Sequence, residues 1–115
     1  MAMDKLVTIE RHIQDTQKQF PHATGTFTKM LQDIALAAKL ISRETNRAGL
    51  TDILGATTGK NSSGERQQKL DMFADEIIFR MNDHTGRVAA MVSEEHEDLI
   101  EIPVEFDTGN YVLLY

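Results

Sequence analysis

Five polar residues, four of them acidic, closely follow a short apolar segment near residue 90. The apolar segment is residues 88–92, and the polar run is Glu94, Glu95, His96, Glu97 and Asp98. The apolar segment is typical of a buried strand, and ligand sites in α/β layers gather where such strands end. Clustered carboxylates repel one another unless a cation neutralises them, and hard oxygen ligands select Mg²⁺ or Mn²⁺. The run is therefore a candidate divalent-metal site, although taken alone it favours a solvated acidic loop.

A segment rich in Gly, Thr, Asn and Ser carries one lysine and invites comparison with a phosphate-binding loop. That motif needs four residues between its glycines and a Ser or Thr after the lysine. Here three residues separate Gly55 from Gly59, and Asn61 follows Lys60. The motif is therefore absent, and the composition of residues 55–64 predicts a mobile loop.

Asp71 and the four histidines carry weaker signals. Asp71 directly follows the apolar Leu70, but acidic residues are common in the first turn of a helix because they suit its dipole. The histidines lack the His-Glu-x-x-His spacing of zinc hydrolases and are expected on the surface or in turns. They are His12, His22, His84 and His96.

Three segments repeat apolar residues at spacings of three and four, which is typical of amphipathic helices. The first contains Leu6, Ile9 and Ile13, and Pro21 is expected to end it. The second follows Thr24-Gly25-Thr26, with Gly49 as its expected C-cap, and its stripe is Phe27, Leu31, Ile34, Ala38 and Ile41. The third stripe is Leu70, Phe73, Ile77 and Met81.

The remainder of the chain predicts three strands. They are residues 88–92, the alternating residues 100–106 and residues 111–115, with a hairpin-like turn at Asp107, Thr108, Gly109 and Asn110. Helices followed by strands indicate an α+β fold in which amino-terminal helices pack on a β-sheet. The continuous apolar run at residues 112–114 is typical of a strand buried on both faces. A second covering layer is therefore expected from further sequence or from a partner chain.

The composition excludes several classes of function. The formal net charge of −6 and the pI near 5.1 argue against nucleic-acid binding, which normally requires a basic surface. The apolar runs are too short to span a bilayer, and the first residues contain no signal-peptide block. Because the chain has no cysteine, disulfides, thiolate nucleophiles and Cys-based zinc sites are excluded, which fits a cytoplasmic protein.

Short segments with a characteristic order and spacing extend over nearly the whole chain. They are His22-Ala23-Thr24-Gly25, Asn46-Arg47-Ala48-Gly49-Leu50, Asp52-Ile53-Leu54-Gly55-Ala56, Gly64-Glu65, Gln67-Gln68-Lys69-Leu70-Asp71, Ser93-Glu94-Glu95 and Tyr111-Val112-Leu113. Together they resemble the amino-terminal part of class I fructose-1,6-bisphosphatases of the bacterial type. The resemblance implies the layered αβαβα sugar-phosphatase fold. It also implies Mg²⁺-dependent hydrolysis of the 1-phosphate of fructose 1,6-bisphosphate in gluconeogenesis.

The resemblance assigns roles to four carboxylates. Glu94 matches the metal-bridging residue, and Glu95 and Asp71 match the pair that orients and deprotonates the attacking water. Glu95 also counts among the metal ligands, and Glu65 matches an acidic residue that a mobile loop brings to the metals. The loop itself corresponds to residues 50–70. The implied cofactor is Mg²⁺, with Mn²⁺ as a substitute.

The resemblance also implies an inhibitory AMP site at the amino end of the second helix. The matching residues are Thr24, Gly25, Thr28 and Tyr111. Two positions depart from the family, since Thr26 replaces a usual Glu and Asn110 replaces a usual Lys. Loss of that lysine removes a phosphate-binding charge, which counts against AMP inhibition.

In the family, the strand matching residues 111–115 leads into an Asp-Pro-Leu-Asp segment that binds metal. Residues 1–115 are therefore expected to be the amino-terminal part of a phosphatase domain, inactive alone, whose parent protein forms homotetramers in the cytoplasm. The partners expected for the parent are a sugar bisphosphate and AMP, and neither nucleic acid nor a membrane. Two alternatives remain, a related phosphatase acting on sedoheptulose 1,7-bisphosphate and a non-catalytic, helix-rich interaction module.

Overall fold

The computed structural model describes residues 4–54 and 62–115, and within these ranges three helices precede one three-stranded sheet. In chain order the elements are α1 (Ile9–Gln17), α2 (Thr26–Leu54), α3 (Ser62–Asn82), β1 (Val88–Val92), β2 (Ile100–Glu101) and β3 (Tyr111–Leu114). The helices pack on the sheet, so the predicted α+β class is confirmed. None of the helices in the two ranges has the length and apolar content needed to cross a membrane.

α1 is the short amphipathic helix that the sequence predicts. The hydroxyl of Thr8 caps its first turn by accepting a hydrogen bond from the Arg11 N–H at 3.1 Å. Ile13 is buried, whereas Leu6 precedes the helix and is exposed. The helix therefore begins three residues after the first residue of the apolar stripe.

α2 is also confirmed, but it continues beyond its predicted end. Gly49 is not a C-cap, because helical structure runs through it to Leu54. A glycine inside a helix costs only about 1 kcal/mol relative to alanine. Packing of α2 along α3 is sufficient to offset a penalty of that size.

α3 begins earlier than its apolar stripe indicates. The helix starts at Ser62, so Gly64 and Glu65 lie in a helix rather than in a loop. The loop predicted for residues 50–70 is therefore wrong at both ends, and its middle, residues 55–61, lies outside the described residues. The prediction failed because residues 65–69 are polar but intrinsically good helix formers.

The sheet has the strand order β2–β1–β3, with β1 antiparallel to β2 and parallel to β3. The hairpin predicted for residues 107–110 is therefore wrong, because β3 pairs with β1 instead of β2. β2 has only two residues rather than seven. Pro103 has no N–H to donate to a ladder with β1, and Val104 is fully exposed.

The core lies between the helices and one face of the sheet. Met30 of α2 packs with Val88 and Met91 of β1 and with Ile102. Leu113 of β3 joins this core, whereas its neighbours Val112 and Leu114 are 54% and 70% exposed. In the described residues β3 is therefore covered on one face, and a second covering layer stays a prediction.

Candidate functional site

The acidic segment lies where β1 and β3 end together. Because the two strands are parallel and Val92 pairs with Leu114, their carboxyl ends meet at the same edge of the sheet. The Glu94 N–H donates to the Tyr115 carbonyl oxygen at 2.8 Å, and the Tyr115 N–H donates to the Val92 oxygen at 2.9 Å. Glu94 and Glu95 are exposed at this edge, on a backbone that the end of β3 holds in place.

A hydrogen-bonded group beneath this segment connects it to α3. Ser93 is 3% exposed, and its hydroxyl donates to the Asp75 carboxylate at 2.5 Å. The same hydroxyl accepts a hydrogen bond from the Glu95 N–H at 3.1 Å. The second carboxylate oxygen of Asp75 lies 2.9 Å from Nε2 of His96. No pattern in the sequence indicates this connection.

The charge state of Asp75 follows from these contacts. Burial favours its neutral form, but hydrogen bonds from Ser93 and His96 and the charge of His96 outweigh burial and lower the pKa of Asp75 below its ordinary value. Asp75 is therefore ionised near neutral pH. An ionised carboxylate only accepts hydrogen bonds, so Nε2 of His96 is the donor in their contact.

Tyr115 adds a neutral group to the same site. Burial raises the pKa of its hydroxyl to about 12, and the negative charge of Asp75 acts in the same direction. Tyr115 also packs against the core that contains Met91. The Asp75 carboxylate is thus enclosed by Ser93, His96 and a phenol that stays protonated at neutral pH.

The predicted catalytic and metal-binding residues are brought only partly together. Asp71 is exposed on α3 one helical turn before Asp75, which places both carboxylates on the same side of the helix. In residues 4–54 and 62–115, the side chains of Asp71, Glu94 and Glu95 make no hydrogen bond or ion pair. Glu65 belongs to α3, but its side chain lies outside the described part of the chain.

The donor chemistry at this edge suits a hard cation, but the set of ligands is incomplete. Carboxylates are the oxygen donors that Mg²⁺ and Mn²⁺ prefer. Nowhere among the described residues do three acidic or histidine side chains come close enough to hold a metal ion. The described residues therefore supply part of a metal site at most.

A second candidate site is an open pocket of about 770 Å³, lined by α1, the connection from α1 to α2, the amino end of α2 and the first residue of β3. Its lining includes all four residues that the resemblance assigns to nucleotide binding, Thr24, Gly25, Thr28 and Tyr111. His12 and His22 also line it, although the sequence analysis assigned neither of them to a site.

Local interactions shape the entrance to α2 beside this pocket. Gly25 has a φ of +85°, a left-handed conformation that favours glycine, and its carbonyl accepts the first helical hydrogen bond from the Lys29 N–H. The hydroxyls of Thr24 and Thr26 are 2.9 Å apart and share a hydrogen bond. Phe27 then stacks on Tyr111 and connects the helix to β3.

Comparison with known proteins agrees with this architecture. A sequence model described as the fructose-1,6-bisphosphatase amino-terminal domain matches residues 7–115. The chain belongs to this family. A class 1 fructose-1,6-bisphosphatase from Chloroherpeton thalassium is 51% identical over 98% of this chain and 32% of its own length. The enzyme of that name from Chlorobium chlorochromatii is 52% identical over 98% of this chain and 34% of its own length.

Solved structures support the same fold. Leishmania major fructose-1,6-bisphosphatase in holo form superposes with a TM-score of 0.69 at 24% identity, covering 96% of this chain and 31% of that one. Its T-state structure gives a TM-score of 0.61 at the same identity, covering 94% and 30%. The chain thus spans about a third of the length of the fructose-1,6-bisphosphatases that it matches.

Proposed function

We propose that the protein containing this chain is a Mg²⁺-dependent phosphatase that hydrolyses the 1-phosphate of fructose 1,6-bisphosphate in gluconeogenesis. Membership of the fructose-1,6-bisphosphatase family supports this reaction. Residues 1–115 would form the amino-terminal part of its catalytic domain, because the matched relatives are about three times as long.

The observation that carries the proposal is the position of Glu94 and Glu95. Two consecutive exposed carboxylates follow β1 at the edge where parallel strands end, and backbone hydrogen bonds fix the segment that bears them. Ligands of open α/β sheets bind at such edges. A purely solvated acidic loop would not require the buried Ser93 and the partly buried Asp75 that are hydrogen-bonded beneath it.

In the proposed reaction Asp71 and Glu95 act on the attacking water. One carboxylate accepts a hydrogen bond from the water and orients it, and the other removes its proton as the oxygen attacks phosphorus. The bond between phosphorus and the sugar O1 breaks in the same displacement, and the departing sugar oxygen takes up a proton from solvent. Both side chains are exposed, so water can reach each of them.

Glu94, Glu95 and Glu65 would hold the metal, with further ligands from outside the described residues. Mg²⁺, or Mn²⁺ in its place, would supply positive charge that stabilises the transferring phosphoryl group. A chain limited to residues 1–115 would therefore be inactive, since its described part contains no complete ligand set.

Family resemblance motivates three further proposals. The whole protein would be a cytoplasmic homotetramer. It would bind a sugar bisphosphate as substrate, and its affinity for AMP would be weak. The pocket lined by Thr24, Gly25, Thr28 and Tyr111 supports the AMP proposal, and the absence of a lysine at position 110 supports weak affinity.

Phosphate release by the full-length protein tests the proposed reaction. We expect Mg²⁺-dependent release from fructose 1,6-bisphosphate that falls at least about a hundredfold in Asp71→Asn and in Glu95→Gln. Glu97→Gln is the matched control, because Glu97 lies in the same acidic run without an assigned role. Undiminished activity in the first two variants would contradict the assigned roles. Faster release from sedoheptulose 1,7-bisphosphate would reassign the substrate.

A further inference from the structure

The hydroxyl of Ser93 relays a contact from α3 to the backbone of the acidic segment. It donates to one carboxylate oxygen of Asp75 at 2.5 Å and accepts from the Glu95 N–H at 3.1 Å. Ser93 is almost completely buried, so water does not compete for these hydrogen bonds. The position of the Glu95 backbone thus depends on the position of Asp75.

The other carboxylate oxygen of Asp75 contacts the residue on the far side of the two glutamates. Nε2 of His96 lies 2.9 Å from it, and the His96 N–H also donates to the Ser93 carbonyl at 3.2 Å. A single carboxylate therefore holds both residues that flank Glu94 and Glu95. The Asp75 side chain is only 14% exposed, whereas both glutamates are exposed.

We propose that Asp75 is a positioning residue that fixes Glu94 and Glu95 relative to α3 through Ser93 and His96. The inference rests on the proposed function for the role of the two glutamates. Asp75 itself needs no contact with substrate or metal.

The geometry gives this connection a specific consequence for the water-activating pair. Asp71 is one turn before Asp75 on α3, so the helix that carries Asp71 is joined by Asp75 and Ser93 to the segment that carries Glu95. A general base must stay within hydrogen-bond reach of the water that it deprotonates. Loosening the connection would change the separation of Asp71 and Glu95 without altering either carboxylate.

Backbone amide hydrogen exchange in the 115-residue chain measures the connection directly. We expect exchange at the Glu95 amide to accelerate about tenfold in Asp75→Ala and in Ser93→Ala, as loss of one hydrogen bond implies. Amides of β1 should be unaffected. Glu76→Ala is the matched control, because Glu76 is adjacent on α3 but is exposed and paired with Arg80 at 2.5 Å.

Unchanged exchange at Glu95 in Asp75→Ala, or equal acceleration in Glu76→Ala, would overturn the proposal. If Asp75→Ala does not fold, Asp75→Asn and Ser93→Ala decide the question. The asparagine retains one oxygen for the Ser93 hydroxyl and should keep Glu95 exchange within about twofold of the original chain. Slow exchange at Glu95 in Ser93→Ala would then contradict the relay.

Kinetics of the full-length protein separate this inference from the proposed function. In Asp75→Ala, which removes both carboxylate oxygens, we expect kcat to fall about tenfold with little change in KM, because substrate binding is retained while the water-activating pair is displaced. An unchanged kcat in this variant would refute the positioning role. If the unaltered full-length protein shows no phosphatase activity, the proposed function fails, and amide exchange at Glu95 still tests the role of Asp75.

Discussion

Phe27 stacks on Tyr111 with ring centroids 6.0 Å apart and an angle of 27° between the ring planes. The pair connects the first turn of α2 to the first residue of β3, and both rings line the pocket at the amino end of α2. Offset stacking of this kind contributes about 0.5–1.5 kcal/mol beyond the burial of area. The stack is therefore expected to stabilise the chain and to hold the pocket closed on one side.

A double-mutant cycle measures the energy of this stack. Phe27→Leu and Tyr111→Leu should each destabilise the chain in urea, and their combined effect should be about 1 kcal/mol smaller than the sum of the two. The cycle contains its own control, since the single variants report the loss of each ring. Strict additivity would show that the rings contribute independently.

Asp75 is expected to make the stability of the chain depend on acid pH. Its pKa is lowered in the folded state from the ordinary value of 3.8, so the unfolded chain binds a proton more readily. The stabilisation is therefore fully present above the ordinary pKa and is lost as pH falls through the lower, folded value. In urea unfolding, Asp75→Asn should cost about 2 kcal/mol at neutral pH, and this difference should shrink below about pH 4. A difference independent of pH would contradict the assignment.

Tyr115 is expected to make the stability of the chain fall as pH rises into the alkaline range, the opposite direction to Asp75. Burial raises its folded-state pKa to about 12, whereas an unfolded tyrosine titrates near pH 10. The neutral phenol therefore stabilises the fold below about pH 10, and this contribution is lost as pH rises toward the folded value. The ultraviolet absorption of tyrosinate can be followed against pH in the chain and in Tyr115→Phe. The difference between the two curves reports Tyr115 alone, and its midpoint should lie near pH 12. Titration near pH 10 in the folded chain would exclude the buried position.

Gly109 is expected to tolerate no side chain. Its N–H donates to the Val88 oxygen at 3.2 Å, and a Cβ built at this position would overlap the backbone of Arg87. We expect Gly109→Ala to destabilise the chain by about 2–3 kcal/mol, because the start of β3 must move away from β1. Gly64→Ala is the matched control. Gly64 lies in α3 with open space around it, so alanine there should stabilise the helix by up to about 1 kcal/mol.

Local sequence patterns predicted most of the helices and strands, but they did not predict which distant segments pair with one another. The spacing of apolar residues located all three helices and β1. The same residues carry no information on which strand lies beside β1, so the parallel pairing of Val92 with Leu114 was not foreseen. Alternation at residues 100–106 was misleading because only Ile100 and Glu101 form a strand, and Pro103 has no N–H with which to continue the ladder.

For the candidate site too, the local pattern was predicted and the contact between distant residues was not. The run beginning at Glu94 was placed correctly at the end of a strand. Asp75 was not found, because its role depends on the position of α3 over the end of β1, which brings its carboxylate to Ser93 across 18 positions in the sequence. The one signal in the sequence was that Asp75 follows Asp71 by four residues, which places both on the same side of a helix.

Asn110 is expected to limit the affinity of the pocket for AMP. It directly precedes Tyr111, which lines the pocket. The resemblance matches it to a position at which a phosphate-binding lysine is expected. Because Asn110 is exposed, a lysine can occupy the position without displacing the core. We expect Asn110→Lys to increase AMP affinity by up to about tenfold, with an effect that declines as salt is added. Calorimetric titration of the chain with AMP measures the change, and Asn110→Gln controls for side-chain length. An equal gain in the glutamine variant would show that charge is not the cause.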